Sequence, residues 1–244
     1  MKSTKISEPL RKIFSDLGIS MIISEELDYI DLGDDETFLT YTPLDKIKKM
    51  VEKEQDPWKT NRVSMKIGKF FNKMFYIEGT QLENLVNWYK TIYSVYKGDY
   101  DKIFEVVEGE DIRHWYNEKN YVTGGGSLNN SCMRGESSQG RLDLYVENPN
   151  VCKLLIMKEG DRLAARSLMW TTDQGIYLDR TYCRYDKDQL LYKKYAEHMN
   201  YKSYYNRAGA GMGMSLKVVV KKTYKIIPYL DSFGLTGKTL TAYV

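Results

Sequence analysis

Cysteine and histidine are scarce in this chain of 244 residues, with three and two copies respectively. The cysteines Cys132, Cys152 and Cys183 are odd in number and show no C-x-x-C spacing. That argues against a disulfide framework or a structural zinc site and makes reduced thiols the expectation. Long apolar runs are missing too. None approaches the roughly 18 residues a membrane span needs, and the opening MKSTKISEPLRKIF has basic residues without the apolar core of a signal peptide. A soluble, intracellular protein is expected. No internal repeat and no low-complexity linker interrupts the chain. The acidic group Asp31, Asp34, Asp35 and Glu36 lacks calcium-loop spacing and suits a solvated turn, so no metal is expected. Gly209, Gly211 and Gly213 precede a strand-like LKVVVKK instead of opening a helix, and no G-K-S/T follows. Neither a Rossmann loop nor a P-loop is indicated, and no cofactor is expected.

What is present is a 42% hydrophobic composition, enough for a core, and an uneven charge. Residues 1–110 carry 16 Lys/Arg and 20 Asp/Glu, a net of −4; the remainder carries 20 and 13, a net of +7. The basic excess concentrates in Arg180–Lys225, where 11 Lys/Arg face only Asp186, Asp188 and Glu197 and tyrosines recur at 182, 185, 192, 195, 201, 204, 205 and 224.

Periodicity changes along the chain. Leu10, Ile13, Phe14 and Leu17 recur at helical spacing before a Gly18 stop. Tyr29–Thr42 reads as a hairpin, Thr42 and Pro43 as an N-cap with proline in the first turn, and Asn61 as the cap of a Val63–Met74 stripe. Thr80 and Glu83 form a capping-box pattern ahead of Leu82, Val86, Tyr89, Tyr93 and Tyr96, with Gly98 as the stop. From Val151 the pattern turns to strands: a Val151–Trp170 hairpin, Gly175–Cys183, a Gln189–Met199 helix, a strand at 201–206, LKVVVKK, and a closing hairpin around Thr236 and Gly237. The expectation is an α+β fold, with a helical N-terminal half followed by a mostly antiparallel sheet carrying one or two packed helices. Its regions would be 1–123 and 124–244, meeting near Gly124–Gly126 or running on as one domain.

The distinctive chemistry lies between Gly109 and Arg180. Cys132, in GGGSLNNSCMR, is a nucleophile candidate if a short helix starts there and lowers its thiol pKa, with His114 as the nearest base in sequence; the bland reading is a buried structural thiol. Arg113, Trp115, Tyr116, Asn120, Ser131, Arg134, Arg166, Asp179 and Arg180 read either as a pocket for an anionic ligand or peptide, or as Arg–Asp pairs and tyrosine hydroxyls satisfying one another behind a sheet. In the basic segment, Lys217, Lys221, Lys222 and Lys225 form a candidate patch. It suits a protein partner, with single-stranded nucleic acid as the alternative, because cations interleaved with aromatic faces serve both.

Two resemblances bear on these blocks. GEDIRHWYNEKNY, SCMR, the Asp179–Arg180–x–Tyr182 block and Pro228–Phe233 resemble a family of uncharacterised tailed-bacteriophage proteins carrying GED-I-x-x-W-Y, S-C-M-R, D-R-x-Y and P-Y-x-D-T/S-F blocks. This implies a viral protein working in the host cytoplasm. The element order in 151–206 resembles the middle of the GNAT N-acetyltransferase fold, whose strand-to-helix turn holds coenzyme A pyrophosphate through R/Q-x-x-G-x-G/A. The corresponding CRYDKDQLL has no glycine and two acids. The favoured reading is a non-enzymatic binding protein acting on a host or phage macromolecule, in host takeover or counter-defence. A GNAT-like acyltransferase or cysteine-dependent enzyme, and a single-stranded nucleic-acid-binding protein, stand as alternatives.

Overall fold

A computed structural model describes residues 3–201, 203–204 and 215–243; Gly209, Gly211, Gly213 and part of the basic segment lie outside the described residues. Helix (37%) and strand (26%) are both substantial and occupy separate elements, which makes the fold α+β. The chain divides into two units, Met1–Asp99 and Tyr100–Val244.

The first unit runs α1 (Glu8–Asp16), β1 (Leu27–Leu32), β2 (Phe38–Pro43), α2 (Leu44–Glu52), β3 (Val63–Lys66), α3 (Ile67–Phe75) and α4 (Gly79–Lys97), with an antiparallel β1-β2-β3 sheet. It is therefore less purely helical than its periodicity suggests. Val63 and Met65 alternate with polar residues and pair with Tyr41 and Leu39, so the stripe assigned to one helix opens as a strand and becomes helical only at Ile67. Asn61, in left-handed backbone, precedes that strand and caps nothing. Pro43 is the N-cap of α2, not its first helical residue, and the Thr42 hydroxyl donates to the Pro57 carbonyl at 2.6 Å. The expected Thr80–Glu83 box is also displaced: α4 begins at Gly79 behind Glu78, without a side-chain cap. The Gly18 and Gly98 stops are present, both at positive φ. The core of this unit is aromatic, with Phe14 stacked on Phe70 and Phe71 edge-on to Tyr89.

The second unit begins earlier than the glycines at 124–126. β4 (Phe104–Val107) pairs with β5 (Cys152–Glu159) across about fifty residues of chain, and Ile112 and Tyr116 of α5 (Glu110–Tyr116) are buried in this unit's core. Three 3₁₀ turns and the short α6 (Asp143–Val146) lead back to β5. β6 (Arg162–Thr172), β7 (Gly175–Leu178), β8 (Tyr182–Cys183), α7 (Asp188–His198) and β9 (Ser203–Tyr204) follow, then β10 (Ser215–Val219), β11 (Gly234–Thr236) and β12 (Thr239–Tyr243). The main sheet has the order β4-β5-β6-β7-β9 with β8 also on β6, and β9 runs parallel to β7 across α7. What reads as one strand from Gly175 to Cys183 is two, broken at Asp179–Thr181.

β6 is the central element. Leu163 to Trp170 are buried without interruption, as in a strand covered on both faces. One face, with Leu154, Ile156, Leu168 and Trp170, packs with Ile112, Tyr145, Leu216, Val218 and Leu240 of the helical segment and the β10-β12-β11 sheet. On the other side Phe104 meets Tyr192 and Tyr195 of α7. No helix among the described residues is long and apolar enough to cross a membrane.

Gly126 is one position where only glycine fits. Its φ is +79°, and a Cβ there would sit 2.2 Å from the Arg184 carbonyl oxygen and 2.4 Å from that of Cys183. Gly126→Ala should destabilise by about 3 kcal/mol, combining left-handed backbone strain with displaced backbone. Gly160→Ala, at φ +64° but in open space, should cost about 1 kcal/mol. Equal losses in urea denaturation of the two variants would contradict this packing.

Candidate functional site

Arg166 lies mid-strand on β6, opposite Ile156 on β5 and Tyr182 on β8. The alternation that points Leu168 and Trp170 into the core points this guanidinium there as well, and only 1% of the residue is exposed. It lies 3.7 Å from the Tyr116 ring centroid and 4.9 Å from that of Tyr182, and its Nη2 donates to Ser131 Oγ at 2.8 Å. Its Nε has no hydrogen-bond partner among the described residues. Burial works to lower the Arg166 pKa, but Tyr116, Tyr121 and Tyr182 raise it further, so the charge is retained. Tyrosine faces thus take the place a carboxylate would have, each cation–π contact contributing about 2 kcal/mol when desolvated.

A second polar node sits where β7 and β8 part. Asp179 Oδ1 accepts from Ser232 Oγ at 2.6 Å and from the Arg180 N–H at 2.7 Å; Oδ2 accepts from Trp170 Nε1 at 3.2 Å. Its carbonyl accepts from Ser167 Oγ. Beside it Asp231 accepts from the Tyr182 hydroxyl at 2.9 Å and pairs with Arg180 at 3.3 Å. Tyr177 and Ser232 exchange a further hydrogen bond, and Phe233 packs on Trp170 and Tyr177. The blocks at 179–182 and 228–233, far apart in sequence, therefore meet. Burial pushes the Asp179 carboxyl up to about 6, aided by Asp231 and opposed by its three donors. Burial likewise raises the Cys152 thiol, with Asp179 adding to it.

The remaining candidates are dispersed. Arg113 is held by Glu110 at 3.0 Å, Asp143 at 2.5 Å and the Gln139 carbonyl, joining α5 to α6. Asn120 donates to the His114 carbonyl, Arg134 pairs with Glu118 and the Asn129 carbonyl, and Trp115 lies under Lys158. Cys132 is exposed instead of being a buried hydrophobe. It follows the C-terminal end of the Leu128–Asn130 3₁₀ turn and does not itself open a helix. His114 is edge-on to Trp115. Among the described residues no group of three or more His, Cys, Asp or Glu could hold a metal. Lys217, Lys221 and Lys225 are exposed, whereas Lys222 is tied to Glu147 at 2.8 Å and lies over Tyr224.

Sequence reasoning missed Asp188 and Ser127. The first three N–H groups of α7 are used by the carbonyls of Tyr185, Asp186 and Lys187, while Asp188 itself is buried at that end with its carboxyl pushed up to about 6 by burial. Ser127 Oγ accepts from the Cys183 N–H at 3.0 Å, and Gly126 seats against the carbonyls of Cys183 and Arg184. The turn into α7 is thus filled by the chain's own atoms. No family model matches the chain, nor does any curated protein or solved structure resemble it significantly.

With Asp179 near 6 when folded and near 3.8 unfolded, the folded state binds the extra proton between those values. Its stability contribution falls as pH rises through that window. Asp179→Asn should remove this slope, so wild type should lose ground to the variant from about pH 4 to pH 6.5 in chemical denaturation. A pH-independent difference would refute the assignment.

Proposed function

We propose that the chain is a phage-encoded, non-enzymatic protein that binds a host or phage macromolecule in the host cytoplasm, with host takeover or counter-defence as its setting. The observation that carries the binding part is the surface of residues 215–243. Leu216, Val218, Val220, Tyr224 and Phe233 are buried and hold this stretch on the core, while Val219 (67%), Ile226 (64%), Tyr229 (61%) and Tyr243 (81%) stand exposed alongside Lys217, Lys221 and Lys225. Large apolar side chains on an anchored backbone lose little entropy on binding, and flanking cations select an acidic partner surface. The buried Arg166 and Asp179 nodes support this reading as framework, since neither offers an accessible reacting group.

The tyrosines of the basic segment argue against single-stranded nucleic acid stacking there, which leaves Tyr229 and Tyr243 as the open rings beside the lysines. Stacking needs open rings, yet Tyr192, Tyr195 and Tyr224 are buried, and of the basic segment's tyrosines whose side chains are described only Tyr185 is exposed. A protein partner should therefore be retained at about 0.5 M salt. It should be lost on Ile226→Ser with Tyr229→Ser, and weakened on joint Lys217→Glu, Lys221→Glu and Lys225→Glu, as read by interferometry against the captured partner. Tight oligonucleotide binding that weakens log-linearly with salt and vanishes in the lysine variant would replace this reading with a nucleic-acid one.

The acyltransferase reading has the order β5-β6-β7-α7-β9 and the parallel β7–β9 pair in its favour. The occupied turn at 183–188 weighs against it, because pyrophosphate needs free N–H groups and close backbone approach. Saturating acetyl-CoA should leave the melting temperature unchanged; a concentration-dependent rise would promote the enzyme.

A further inference from the structure

We propose that the cleft formed by Tyr121–Gly124, Arg134 and Arg162 is a binding site for a small phosphate ester, separate from the partner surface. Its volume of about 580 Å³ falls within the range of small-molecule sites. The lining carries three cations, Lys119, Arg134 and Arg162, against one carboxylate, Glu118. Arg134 and Lys119 have carboxylate partners in Glu118 and Glu136. Arg162 has none among the described residues: it is exposed, and there its guanidinium meets the carbonyls of Tyr121 at 3.1 Å and Lys119 at 3.4 Å. An oxyanion would complete its coordination with charge-assisted bonds that carbonyls cannot match.

The backbone supplies the second argument. None of the N–H groups from Thr123 to Ser127 meets an acceptor among the described residues, and Gly124 and Gly126 sit at φ +146° and +79° with Gly125 between them at ordinary φ. Arg184 lies against this loop, its Nε 2.8 Å from where a Gly124 Cβ would lie, but its charge is taken by Glu159 at 2.7 Å. Unpaired amides in succession can donate together to the oxygens of an anion. A doubly charged, three-oxygen phosphate uses both the amides and a guanidinium fork.

The test is amide NMR of the full chain titrated at constant ionic strength with inorganic phosphate and, separately, with ribose 5-phosphate. The amides of Gly124, Gly125 and Gly126 should shift, with a Kd of about a millimolar or tighter for the ester and several-fold weaker binding of inorganic phosphate. Arg162→Gln with Lys119→Gln should weaken ester binding at least about tenfold with the far-UV spectrum unchanged. Should that pair fail to fold, Lys119→Gln alone, on an exposed side chain, should still weaken it. Unmoved glycine amides, equal affinity for phosphate and ester, or full binding by a folded variant would each overturn the proposal.

Discussion

A positive charge buried in the central strand of a six-stranded sheet constrains much of the second unit. Left alone in an apolar interior, a guanidinium costs several kcal/mol, and no carboxylate among the described residues pairs with Arg166. Tyr116 from α5, Ser131 from the loop behind it and Tyr182 from β8 each supply one component of its solvation. These three groups come from the end of a seven-residue helix, a loop and a two-residue strand. They converge on one side chain from three separate stretches of chain.

Asp179 applies the same logic with opposite sign. A carboxylate inside the core demands donors, and it draws them from β6, from its own backbone and from Ser232 on the late segment. The consequence is mechanical as well as electrostatic, because the loop leading into the second sheet is tied to the first sheet at the break between β7 and β8. Trp170 and Phe233 close the apolar side of that junction. The two nodes share Tyr182, whose ring lies on Arg166 and whose hydroxyl binds Asp231, so disturbing either should be felt at the other.

The Arg166 and Asp179 nodes are interior, so the groups left open to solvent lie at the periphery. The anchored stretch at 215–243 presents apolar and basic side chains outward, and the amides of 124–126 meet no acceptor among the described residues. Both are rigidly backed: Val218 and Leu240 lie beneath the first, and Ser127 fastens the second to Cys183.

The α+β class, the 151–170 hairpin, the α7 helix and the closing hairpin were legible in the sequence because each depends on local period and turn chemistry. So was the need for polar groups to pair in the interior, since arginine, aspartate and tyrosine among apolar strands are costly to bury without partners. What the sequence could not disclose was decided by long-range pairing. Val63 forms a strand because β2 is available to it, and residues 100–123 join the second unit because β4 pairs with β5. Arg113 and Arg134 are consumed by local acids while Arg166 is left to tyrosines. Composition determined which side chains would need solvating or burying; only the tertiary structure decided which of them solvate each other, because that depends on distances across the sheet that no local period encodes.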